Sequence, residues 1–148
     1  MADPTSEDPV ARESTRLFCA AVIGAQTTLD PKQMVEWTPN SKYGGHAFGK
    51  KSFKEFLESR DEIMPWIKEF SPYHLVSKDD PPVLIQYGRP SEVGEPQRDP
   101  THTANFGTGL KQHCDKAGVT CLLIYKATEE DGPYPSPTDF LIATLKAK

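Results

Sequence analysis

Three short apolar runs, at residues 19–23, 83–87 and 121–125, most constrain what this chain can fold into. The first ends at Gly24, and the second lies between Pro82 and Gly88. Apolar runs of four to eight residues beside such breakers read as strands covered on both faces. The segments between them carry helical patterns. The order is strand, helical excursion, strand, helix, strand, helix. That order predicts an α/β fold of three layers around a parallel sheet, with right-handed crossovers. Three strands make a small sheet for 148 residues. The first run is as apolar as the others, which is unusual for a solvent-facing edge.

The helical readings rest on local signals. Asp30 is placed to cap a helix with Pro31 at its first position, followed by Met34, Val35 and Trp37. Phe53, Phe56 and Leu57 repeat at i, i+3, i+4, an amphipathic signature within residues 52–60. Pro65 reads as the start of a new turn rather than a mid-helix residue. Phe53, Phe56, Trp66 and Phe70 read as core or as cover over the sheet, with a ligand pocket among them as the lesser alternative. Residues 71–82 read as a connector. Residues 103–117 form the next helix, with Phe106, Leu110 and Cys114 at four-residue steps and Gly118 as its stop. Gly107 and Gly109 within it predict close packing on a sheet, since each costs roughly 1 kcal/mol against Ala. Ser136, Pro137 and Asp139 open the last helix as a cap, first-turn proline and capping-box acid. The whole of 1–148 reads as one domain, with 1–10 a flexible arm and 26–78 a helical, cap-like insertion.

Composition narrows the function classes. The formal net charge of −4 argues against a general nucleic-acid binder. No apolar stretch approaches the roughly 18 residues of a membrane span, so no membrane partner is expected. Residues 2–10 have neither a basic nor an apolar segment, which predicts no signal peptide and, by default, a cytoplasmic chain. Three cysteines without C-x-x-C spacing indicate neither a disulfide framework nor a zinc site. No Walker A, G-x-G-x-x-G or G-x-S-x-G motif occurs, and no cofactor is expected.

The histidines are His46, His74, His102 and His113. Functional loops of a parallel sheet lie at the carboxyl ends of its strands. Asp99 and His102, in the loop after the second run, are therefore the best-placed titratable pair. The simpler reading is that Asp99 and Thr101 or Thr103 cap the following helix. His46 reads as a loop residue, His74 as half-buried packing beside Tyr73, and His113 as solvated. The acidic run 129–131 reads as a solvated turn.

The segment Ser71-Pro72-Tyr73-His74-Leu75-Val76-Ser77-Lys78-Asp79-Asp80-Pro81-Pro82, followed by VLIQYG at 83–88, resembles the C-terminal half of the α/β-hydrolase superfamily, esterase/lipase branch. There a similar connector feeds the seventh strand. Asp115, Lys116, Ala117, Gly118 and Val119 resemble the approach to the eighth, and residues 18–25 resemble the sixth. The resemblance implies a partial sheet, strands six to eight, with a helical insertion. It implies a catalytic acid in the loop after the seventh strand, with Asp99 first choice and Glu92 second. It places the catalytic His after the eighth strand, but residues 126–135 contain no histidine. His102 is the other candidate base, from a different loop. The nucleophile would lie before residue 1.

Two expectations follow. One is a truncated, hydrolase-like chain, inactive as given, whose missing N-terminal half would pair with the first strand. The other is a non-catalytic interaction module using the same open edge, as a homodimer or with another partner.

Overall fold

The computed structural model describes residues 2–14, 16–126 and 132–147. Three strands, β1 (Ala20–Ile23), β2 (Val83–Tyr87) and β3 (Cys121–Tyr125), form one parallel sheet in the order β1-β2-β3. Ala20 pairs with Val83, and Val83 with Cys121, so the strands start level. The expected α/β architecture is present.

The helices are α1 (Pro31–Trp37), α2 (Phe53–Glu58), α3 (Arg60–Phe70), α4 (Pro72–Leu75), α5 (Asn105–Ala117) and α6 (Pro137–Lys146). A 3-10 turn, Gly45–Phe48, precedes α2. The capping residues act as their chemistry requires. Asp30 accepts the Lys32 N–H, Ser52 that of Glu55, and Ser136 that of Asp139.

Side chains alternating along the strands divide the core in two. On one face Ile85, Tyr87 and Cys121 join Phe106, Leu110 and Cys114 of α5, with Met34, Phe56, Ile63 and Ile67 beyond. On the other, Leu84 and Ile124 pack on Phe140 of α6. The sheet is thus sandwiched between helices. Gly107 packs where a Cβ would fall 2.4 Å from Tyr87 Cε2. The close packing on the sheet expected at both glycines is present at Gly107 only; Gly109 approaches Trp37 of α1 instead.

Several expectations are corrected. β1 has cover on both faces, Val22 packing into one core cluster and Ala21 into the other, but it is incomplete: Ala20 and Ala21 are half-buried and Ile23, at the strand's end, is 72% exposed, because only β2 flanks this edge strand among the described residues. Pro65 lies inside α3, not at a start. A proline there forgoes one N–H bond, and the fully buried Ile63 and Ile67 on either side hold the helix through it. Trp66 and Phe70 are exposed rather than core, since α3 turns its Ile63/Ile67 face inward. The connector at 71–82 contains the short helix α4. His113 is not fully solvated: it is half-buried, its ring stacked on Tyr73 at 4.2 Å. The acidic run 129–131 lies outside the described residues.

Candidate functional site

The backbone leaves β2 at Tyr87 and does not become helical again until Asn105. That long segment folds over the carboxyl end of the central strand and walls a cleft of about 420 Å³. The lining includes Gly88, Arg89, Ser91, Arg98, Asp99 and His102. This is where a parallel sheet exposes backbone not committed to the ladder.

Asp99 and His102 meet in this wall. His102 Nδ1 lies 3.0 Å from Asp99 Oδ2, and both side chains are 62% exposed. Asp99 Oδ1 accepts the backbone N–H groups of Thr101, at 3.1 Å, and His102, at 3.2 Å. A carboxylate that accepts from its own backbone two and three residues on makes a local turn. The turn is what delivers the His102 ring to the other oxygen. The bond from His102, followed by the two backbone donors, holds the Asp99 carboxyl below its ordinary value.

Asp99 does not cap α5. The cap position belongs to Ala104, without a side-chain bond, and the Asn105 N–H donates to Thr103 Oγ1 at 3.3 Å. Glu92 is exposed and is not among the cleft-lining residues. His46 is exposed and meets the Tyr43 ring edge-on at 4.9 Å. His74 is half-buried, and burial lowers its pKa.

A buried polar network supports the loop. Asn105, fully buried, donates to the Trp37 carbonyl at 2.6 Å and to Thr38 Oγ1 at 3.1 Å. Its Oδ1 accepts from Ser91 Oγ at 2.6 Å, and Ser91 Oγ accepts from Thr103 Oγ1 at 2.9 Å. The Trp37 carbonyl also takes the Gly94 N–H. Farther out, Asn40 donates to the Gln97 carbonyl at 2.8 Å and accepts its N–H at 2.9 Å. The loop is therefore tied down at 91, 94, 97 and 103 by the end of α1 and the start of α5. Sequence reasoning did not single out Asn40, Asn105 or Arg89 and Arg98. Their only local signal is the length of the loop that they serve.

The arrangement offers an imidazole oriented by a carboxylate. Among the described residues, no hydrogen bond joins His102 to a hydroxyl, and no three His, Cys, Asp or Glu side chains gather as a metal site. No described helix is long and apolar enough to cross a membrane.

No protein-family profile and no curated protein sequence matches the chain. Two solved structures share its fold. One is a truncated form of a carbohydrate esterase from gut microbiota, 20% identical, with a TM-score of 0.52, covering 87% of this chain and 43% of that one. The other is an acetyl ester-xyloside bifunctional hydrolase from Caldicellulosiruptor lactoaceticus, 14% identical, with a TM-score of 0.54, covering 98% and 48%. The chain thus has a hydrolase-like α/β fold and spans less than half the length of either structure.

Proposed function

We propose that this chain is the C-terminal part of a carboxylic-ester hydrolase-like protein and is inactive as given. β1, β2 and β3 correspond to strands six to eight of the α/β-hydrolase sheet, and the segment 26–78 to its helical cap-like insertion. The observation that carries the reading is the Asp99–His102 bond in the wall of a cleft at the carboxyl end of the central strand. In serine-hydrolase chemistry a carboxylate fixes the imidazole, and the imidazole takes the proton of the attacking hydroxyl. Asp99 occupies Nδ1 and leaves Nε2 for that proton. The hydroxyl is the missing part. Ser91 and Thr103 are bonded to each other and Ser91 to Asn105, so neither is activated by His102. Esters of carbohydrates are the substrate class suggested by the two similar structures.

Short-chain p-nitrophenyl esters and acetylated xylosides test this. The chain as given is expected to show no turnover above buffer. Turnover lost in Asp99→Ala or His102→Ala would overturn the claim of inactivity. An in-frame coding sequence upstream with G-x-S-x-G would support the partial-hydrolase reading, and a stop codon directly upstream would count against it.

A second reading has its own observation. β1 presents an edge with Ile23 72% exposed, and unpaired strand edges bind other strands. As a non-catalytic module the chain would pair through this edge, with a second copy or another partner. A concentration-dependent dimer broken by Ile23→Lys would favour this reading.

A further inference from the structure

We infer that the cleft at the end of β2 is built for a ligand carrying one carboxylate, held by Arg89 and Arg98. The inference rests on the reading of this cleft as the ligand site and adds the charge of what enters it. The chain has five arginines. Arg12 bonds to the Ser6 carbonyl, Arg16 to Asp79, and Arg60 to Asp30 and Asp61. Arg89 and Arg98 make no hydrogen bond or ion pair among the described residues, and both line this cleft. Two uncommitted arginines thus line one cleft in a chain of net charge −4.

One carboxylate, Asp99, shares the lining with them. Both oxygens of Asp99 are engaged, Oδ1 by two backbone N–H groups and Oδ2 by His102. Glu92 and Glu95 belong to the same loop but do not line the cleft. Counting the Asp and Arg charges, two guanidiniums against the Asp99 carboxylate leave the lining one positive charge in excess. A single carboxylate balances that charge. A phosphate dianion would overshoot it beside Asp99. Guanidinium forks match carboxylate geometry with paired N–H donors, which a lysine pair would not do. The backbone of the loop that carries both arginines is clamped by Asn40, Asn105 and the Trp37 carbonyl, which fixes where their side chains start. Joined to the carbohydrate chemistry proposed above, the ligand is a uronate-type sugar rather than a neutral one.

The test is binding to the 148-residue chain, followed through the Arg Nε–H and His102 ring resonances. The ligands are D-glucuronate, methyl glucoside and inorganic phosphate. Glucuronate is expected to bind saturably at Arg89, Arg98 and His102, at least tenfold more tightly than methyl glucoside and more tightly than phosphate. Arg89→Gln and Arg98→Gln are each expected to weaken it about tenfold, the scale of one charged hydrogen bond. Arg89→Lys should weaken it less. Both positions are exposed, and an unchanged melting temperature would show that the fold is intact. Equal binding of glucuronate and methyl glucoside, with both Gln variants unaffected, would overturn the arginine proposal and leave the cleft standing as a sugar site. Tighter binding of phosphate would overturn the choice of carboxylate. Binding of none of the three would overturn this proposal, and the ester assay above separately decides the inactivity claim.

Discussion

The indole of Trp37 lies so close to the backbone of Gly109 that a Cβ built there would fall 2.5 Å from Cζ2 and 2.6 Å from Cη2. The two residues come from α1 and α5, so this contact sets how closely α1 sits against α5. Trp37 also turns its ring edge toward Tyr73, at 5.4 Å, and Phe106, at 6.2 Å. An indole packed among rings has little room to retreat. Gly109→Ala should therefore destabilise the chain. Overpacking costs typically 1–3 kcal/mol, and the gain in helix propensity returns about 1 kcal/mol. A net loss of up to about 2 kcal/mol in urea unfolding is expected, and a stabilised variant would contradict the contact.

Asp30 links α1 to α3. It is buried, caps α1, and takes Arg60 through two bonds, Nε to Oδ1 at 2.8 Å and Nη2 to Oδ2 at 2.7 Å. Burial alone would push its carboxyl up, but the Arg60 and backbone donors outweigh it, and the net shift is downward. A depressed folded pKa contributes stability above the unfolded value near 4, lost as pH falls through the lower folded value. Asp30→Ala should cost about 1–3 kcal/mol at pH 7, from the lost cap and charged hydrogen bonds, since the partly exposed Arg60 can rehydrate. The gap from wild type should narrow below about pH 4. A gap independent of pH down to pH 2 would show that the carboxylate is not what matters.

Asn105 holds three elements at once, the end of α1, the loop after β2 and its own helix. Asn105→Leu would leave the Thr38 hydroxyl without this donor and Ser91 without its acceptor. Unsatisfied buried groups cost about 1–3 kcal/mol each. The variant should lose at least that amount and show faster amide exchange at Gly94 and Gln97. Unchanged exchange there would mean that Asn40 alone fixes the loop.

The Asp99 carboxyl titrates low chiefly because His102 bonds to it. His102→Ala should move its titration, followed by carboxyl-carbon NMR, back up toward the ordinary value near 4. The pair is well exposed, so the melting temperature should change little. A midpoint that stays put would assign the depression to the backbone donors of Thr101 and His102.

Cys114 and Cys121 are buried, and burial pushes the Cys121 thiol up to about 12. Cys19 is half-buried. A thiol reagent at pH 8 should modify one cysteine quickly in the folded chain and all three once it is unfolded, because the thiolate is the reactive form. Rapid labelling of Cys121 in the native state would contradict its placement.

Local chemistry carried much of the fold. Asp30 and Ser136 act on N–H groups two or three residues away, so their caps and helix starts were legible without a partner. The three apolar runs determined the parallel strands for the same reason: their burial on a sheet depends on their own composition. Asp99 and His102 were legible as neighbours because a tight turn joins them. What lay beyond the sequence was long-range. It does not tell that α3 accepts Pro65 because Ile63 and Ile67 anchor it, or that Trp66 and Phe70 are left outside. Nor does it show that Arg60 reaches Asp30 thirty residues back, or that Asn105 ties residues near 38 and 91 to one point. Those relationships depend on how elements distant in sequence pack. Only the tertiary structure decided them, because a side chain's partner across the core is chosen by the helix orientations that bury the most apolar surface with polar groups satisfied.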